Sequence, residues 1–266
     1  MRVGLVGGGF MGEALIAALL KEGVLQPGDV TVSDVAAARR DQLASTYKVA
    51  VTTDNAEAAS GAALVVLAVK PQEFPGVAAG LKGRFQSDQT ALSIMAGVPI
   101  ERIAQGLGHK AIVRVMPNTA AFVGQAMSVW MASEDVSAAG REAAATLLRA
   151  LGRELQVSDE KYLDMATAVS GSGPGFVFLF LEAFIDGAVH VGLRRDMAEQ
   201  LAMQTLLGAA VMAQQMGKHP AELRNLVTSP GGTTAAGLQV LEDAGLRGAV
   251  IDAVEAAYDR ARELSG

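Results

Sequence analysis

Two stretches hold residues whose types and spacing suit chemistry on anions. The first is Gly7-Gly8-Gly9-Phe10-Met11-Gly12, a G-x-G-x-x-G pattern between the strand-like run 2–6 and the helical run 13–21. In that context Gly7 allows a tight turn, Gly9 lets a pyrophosphate approach the backbone, and Gly12 lets helix and strand pack closely. The whole loop, Phe10 and Met11 included, is expected to hold a dinucleotide; a plain glycine-rich turn is the alternative. The second stretch is Ser229-Pro230-Gly231-Gly232-Thr233-Thr234, after a short helix beginning at Pro220. Pro fixes φ and the paired glycines permit backbone angles closed to other residues, so the next helix starts with unpaired amides and no bulky side chain above them. Such a tip attracts an anion, here a carboxylate, with the Thr233 and Thr234 hydroxyls beside it. A glycine-rich turn with a threonine cap reads equally well from the spacing alone.

The elements around the first stretch alternate. Strands are expected at 2–6, 30–33, 49–52, 63–69, 90–95, 111–115, 128–132 and 154–157, with helices at 13–21, 100–105 and 138–150 and a short one capped by Asp54. The unbroken apolar run 63–69 suits a strand covered on both faces. Alternation of this kind means an α/β Rossmann-like domain with a doubly wound, mostly parallel sheet and a ligand crevice beyond the strands' carboxyl ends. Asp34 ends the second strand, where a carboxylate accepts from the adenosine ribose and favours NAD. Arg39 and Arg40 follow, and either suits a 2′-phosphate or plain solvent. NADPH and NADH therefore both remain open. Lys70, at the end of the fourth strand, reads as a base, a phosphate-neutralising group or a surface lysine.

After Asp159 the strand signal disappears. Helices are expected at 176–191, 197–216 (stopped by Gly217) and 248–264, giving residues 1–159 to the dinucleotide and an all-α remainder, 160–266, to dimerisation and substrate. The helix after Pro174 is apolar on most of its circumference: Val177, Phe178, Leu179, Phe180, Leu181, Phe184, Ile185 and Val189. A helix apolar all round must be buried, and about a hundred residues struggle to do that alone. A partner subunit is the expected cover.

The bulk properties exclude several classes. The 266 residues carry a formal net charge of −6, with no basic stripe for nucleic acid and no cysteine for disulfides or thiolate chemistry. His109, His190 and His219 are scattered, so no metal site is expected. The run 175–185 is interrupted by Glu182 and reads as too short for a bilayer, and no targeting segment precedes the first strand, so the cytoplasm is the expected location.

The segment SPGGTTAAGLQVLE after an L-x-x-x-V-T run is similar to the signature of pyrroline-5-carboxylate reductases. Ala68-Val69-Lys70-Pro71, Met116-Pro117-Asn118-Thr119 and Ser170-Gly171-Ser172-Gly173-Pro174-Gly175 also resemble that family, which usually has alanine where Gly175 stands. The resemblance implies reduction of the cyclic imine 1-pyrroline-5-carboxylate to L-proline by NADPH or NADH, in a homodimer that relatives assemble into rings. It further implies cofactor contacts from Asn55, from Ala68, Val69, Lys70 and Pro71, and from Asn118 and Thr119 at the mouth of the nicotinamide site. Gly231, Gly232, Thr233 and Thr234 would receive the substrate carboxylate, Thr234 would contact the imine nitrogen, and Ser229 and Ser172 would shape the pocket. A free threonine is a poor acid, so water or prior protonation of the imine supplies the proton. A β-hydroxyacid dehydrogenase would share both halves but carries a lysine on the helix after the glycine-rich boundary; here that helix reads GFVFLFLEAFIDGAVHVG. A non-catalytic nucleotide-sensing dimer is the other alternative, and it gives no reason to keep SPGGTT open.

Overall fold

β1 (Val3–Val6) is joined by β2 (Val30–Ser33), β3 (Ala50–Thr52), β4 (Leu64–Leu67), β5 (Thr90–Ser93), β6 (Ile112–Met116), β7 (Ala126–Ala132) and β8 (Gly152–Gln156). In this computed structural model, which describes Met1–Ser265, the strands form one sheet in the order β3-β2-β1-β4-β5-β6-β7-β8. β1 to β6 are mutually parallel; β7 runs antiparallel to β6, and β8 is parallel to β7. Parallel neighbours need crossovers. These contain α1 (Phe10–Lys21), α2 (Ala37–Tyr47), α3 (Asn55–Ala59), α4 (Phe74–Leu81) and α5 (Ile100–Leu107), while α6 (Ala138–Leu151) joins β7 to β8. The sequence pattern had not separated α4 from its surroundings.

Alternation along each strand explains the unbroken apolar runs. Leu5, Leu64, Val66, Leu92 and Val113 face one core layer, and Val6, Val65, Leu67, Ala91 and Ile112 face the other. Both sheet faces are thus covered, as a parallel sheet requires. One buried charge lies on β6. Arg114 is 4% exposed and pairs with Glu160 at 2.8 Å and Asp164 at 3.1 Å. The Ser265 hydroxyl donates to the same Asp164 at 2.9 Å, so the chain's last turn and α7 (Lys161–Ala166) are both tied to β6.

The second half is helical: α7, a π turn at Thr167–Gly171, α8 (Gly173–His190), α9 (Arg195–Met216), α10 (Pro220–Leu226), α11 (Thr233–Asp243) and α12 (Leu246–Ser265). Gly217 ends α9 with φ 59°, and the Asp54 carboxylate caps α3, both as expected. The glycine-rich segment at 170–175 does not break the helix. Its wide turn keeps the chain helical through Lys161–His190, a run of 30 residues. That corrects the expectation of a stretch too short for a bilayer, because by length and apolar composition this helix is long enough to cross one. The chain folds as two compact units, one of Met1–Ser172 joined by the residues from Ala257 on, and one of Gly173–Ala256. This packing division falls after Ser172 because α7 and the π turn pack with the sheet.

Candidate active site

Because β1 to β6 are parallel, their carboxyl ends lie along one edge. The order of strands reverses between β1 and β4, which is where such sheets bind ligands. Gly7 follows β1 with φ 98°, and a Cβ there would meet the Ala68 carbonyl oxygen at 2.8 Å. Only glycine suits that turn. Gly9 caps α1 without a side-chain bond, and where its Cβ would stand no atom lies within 4 Å. The first bond of α1 runs from the Glu13 amide to the Gly9 carbonyl at 2.9 Å, so among the described residues Phe10, Met11 and Gly12 donate to no backbone carbonyl. A helix start with open amides and no side chain over Gly9 fits a pyrophosphate. At the end of β2 the Asp34 carboxylate accepts from the Gly8 and Ala36 amides, each at 2.8 Å.

Neither arginine after Asp34 is merely solvated. Arg39 donates to the Gly8 carbonyl, the Gly9 carbonyl at 3.1 Å, Gln42 at 2.9 Å and Glu13 at 2.6 Å. Tyr47 donates to Glu13 at 3.0 Å, and burial, then the Glu13 carboxylate, push its phenol above the ordinary value. Arg40 donates to the Asp34 and Val35 carbonyls at 2.7 and 3.1 Å.

The remaining candidates of this unit sit along the same edge. Asn55 opens α3 and accepts from the Ser33 hydroxyl at 2.7 Å. Ala68 and Val69 follow β4, then Lys70 stands exposed before the short 3₁₀ turn Pro71–Glu73. Asn118 follows β6, donating to the Ser170 carbonyl at 3.0 Å while its own Oδ1 is buried without a partner. Thr119 is exposed at the start of the next turn, Thr119–Val123. From that turn Phe122 meets Phe10, ring centroids 4.1 Å apart. Ser172 closes the π turn, its amide 2.8 Å from the Thr167 carbonyl.

In the helical unit, Gly231 has φ 68° and Gly232 caps α11 with no side-chain bond. A single correction applies. The Gly232 amide donates to the Ser229 carbonyl at 3.0 Å, so it is turned into the loop and is not free for a ligand. The amides of Gly231, Thr233, Thr234 and Ala235 donate to no backbone carbonyl among the described residues. Ala235, unmarked in the sequence, thus joins the open helix tip.

A family model described as pyrroline-5-carboxylate reductase dimerisation matches residues 160–264, and one described as NADP oxidoreductase, coenzyme F420-dependent, matches residues 2–97. The chain is 44% identical over 264 residues to the pyrroline-5-carboxylate reductase of Synechocystis sp., covering 99% of this chain and 98% of that one. The chain belongs to the pyrroline-5-carboxylate reductase family. Among solved structures, the reductase of Coxiella burnetii superposes with TM-score 0.92 at 36% identity, covering 100% of this chain and 98% of the other. The Plasmodium falciparum pyrroline carboxylate reductase, described with NADP bound, gives 0.91 at 28% identity, with 100% and 98% covered. Like its family, this chain is an NAD(P)-dependent oxidoreductase that dimerises through its helical half.

The apolar surface supports that dimer. Within one chain no residue of α8 is fully buried; Phe178 is 63% and Leu179 67% exposed. Side chains of that kind, left open by the fold, are the cover for a second copy.

Proposed function

We propose how this reductase divides its work when it converts 1-pyrroline-5-carboxylate to L-proline. Residues 1–159 hold NADPH or NADH, and residues 160–266 dimerise and hold the imine; the ranges of the two family matches, 2–97 and 160–264, support that division. The observation that carries the proposal is the open tip of α11, whose Gly231, Thr233, Thr234 and Ala235 amides are unpaired on the backbone. They receive the substrate carboxylate. Gly232, with Ser229 folded against it, shapes the turn instead of donating. The Thr234 hydroxyl donates to or accepts from the ring nitrogen, water or prior protonation supplies the proton, and Ser172 borders the pocket.

In the other half, Gly7, Gly9, Phe10, Met11 and Gly12 receive the pyrophosphate, and Asp34 and Asn55 take the adenosine side. Ala68, Val69, Lys70 and Pro71 follow the cofactor toward its nicotinamide, and Lys70, exposed and at a strand end, neutralises phosphate. Asn118, with an unpartnered Oδ1, accepts from an arriving N–H donor, and Thr119 stands beside it. A reduced nicotinamide supplies the hydride when bound; the chain's own part is to hold the imine carbon within about 3–3.5 Å of it. The helix tip of one protomer serves the dinucleotide site of its partner, as the resemblance implies. A ring of dimers, a cytoplasmic setting and independence from membranes and nucleic acid belong to the same proposal, supported by likeness to the family and by the net charge of −6.

The test is oxidation of NADH and NADPH by the purified dimer with 1-pyrroline-5-carboxylate as acceptor, with L-proline identified as product. Cofactor binding with no imine consumed supports the sensor instead. Oxidation of a hydroxyacid with no imine reduction supports the dehydrogenase.

A further inference from the structure

The bonds around the adenosine end of the glycine loop bear on which dinucleotide this chain takes. We propose that it prefers NADH to NADPH, and that Asp34 is the residue that decides. The inference rests on the reading of the G-x-G-x-x-G loop as the cofactor site.

Three observations converge. First, the Asp34 carboxylate is fixed rather than free. Its two oxygens accept from the Gly8 and Ala36 amides, which orients the group beside the loop and leaves further lone pairs for hydroxyl donors. A ribose 2′-hydroxyl is such a donor, whereas a 2′-phosphate brings about −1.5 to −2 charges and only acceptors. Second, the nearest cations are already engaged. Arg39 uses four N–H bonds on Gly8, Gly9, Gln42 and Glu13, and its Glu13 partner is held in turn by Tyr47. Its side chain is 21% exposed and that of Glu13 16%, so freeing the guanidinium would strand a largely buried carboxylate. Arg40 directs Nη1 to the Asp34 and Val35 carbonyls and thereby closes the turn after β2. Third, Val35, Ala36, Ala37 and Ala38 separate Asp34 from the arginines and offer no hydroxyl or charge. The carboxylate is thus an attractive partner for one cofactor and a repulsive one for the other, which is how specificity is commonly built. Arg39 is a positioning residue in this scheme: it acts on the loop carbonyls and serves both cofactors alike.

Calorimetric titration of the intact dimer with NADH and with NADPH, without imine, tests this. The expected Kd for NADH is lower by at least about tenfold, the scale of a like-charge clash. Asp34→Ser narrows or reverses that ratio, and adenosine 2′,5′-bisphosphate then competes better than it does against the native chain. Arg39→Met weakens both cofactors by the same factor, and Arg40→Ala leaves their ratio unchanged. NADPH binding as tightly as NADH in the native chain would overturn the proposal. So would an Asp34→Ser ratio equal to the native one, or a selective loss of NADPH in Arg39→Met or Arg40→Ala. Because no imine is present, a chain that failed to reduce pyrroline-5-carboxylate would leave this result standing.

Discussion

Asn118 donates its side-chain amide to the Ser170 carbonyl at 3.0 Å, binding the end of β6 to the π turn that leads into α8. Its other end, Oδ1, is buried with nothing to accept from. A π turn leaves carbonyls without their usual partners and often marks a functional position. Here one such carbonyl is satisfied by a residue from the predicted nicotinamide mouth, so the two segments cannot shift independently.

That arrangement separates two substitutions of similar size. Asn118→Asp places an acceptor against the Ser170 carbonyl and costs about 1–3 kcal/mol of stability. Asn118→Ala removes the orphaned oxygen but leaves the Ser170 carbonyl unmatched, so it costs about 1 kcal/mol, at the low end of that range. Thermal unfolding should therefore rank alanine above aspartate, with kcat lowered in both. An aspartate variant that melts with the native protein would show that the Ser170 contact does not hold the turn.

Gly7 and Gly9 are expected to fail in different ways. Gly7 has φ 98° and no room for a Cβ, so Gly7→Ala lowers Tm. Gly9 has φ −65° and open space, so the fold accepts a side chain there. Gly9→Val should melt within a few degrees of the native protein yet bind NADH at least about tenfold more weakly, because the space it fills is where the pyrophosphate approaches. Full cofactor affinity in Gly9→Val would remove the loop from the binding site.

What the sequence made legible was local. Gly7, Gly9 and Gly12 stand at fixed spacing between a strand and a helix, and Asp34 ends the next strand, so their shared edge follows from parallel strand order. Likewise Gly217 and Asp54 act where stop and cap signals put them. Contacts distant in the chain were not legible. Arg39 reaches residues 26 to 31 positions away, and nothing in its neighbours announces that Gly8, Gly9 and Glu13 are its partners. Phe122 escaped notice for the same reason, since its pairing with Phe10 depends on where β6 ends. The glycines and serines at 170–175 read as a break because composition cannot distinguish a loop from a wide helical turn. The inward Gly232 amide depends on the φ of 68° at Gly231, which the letter sequence permits but does not require.

α8 supplies a prediction about assembly. Leu179 is 67% exposed in one chain, although it lies in the region matched by the dimerisation model. Burying a leucine is worth about 1.5–3 kcal/mol, and a twofold interface counts each side chain twice. Leu179→Asp should raise the dimer dissociation constant by about a hundredfold or more while the N-terminal unit keeps its fold. Sedimentation velocity over a dilution series reads this directly. An unchanged dimer would place the interface on another face of the helices.

Thr234 stands on the open tip of α11. If its hydroxyl contacts the imine nitrogen as the ring is reduced, Thr234→Ala removes one hydrogen bond at the reacting centre and lowers kcat by about a hundredfold. Thr234→Ser keeps the hydroxyl and should retain most of the rate. The carboxylate contact runs through backbone amides, which neither substitution deletes, so KM should move much less than kcat. A variant in which KM rises and kcat holds would instead make the threonine a binding residue for the carboxylate. Turnover near native in Thr234→Ala would leave proton delivery and nitrogen contact to water alone.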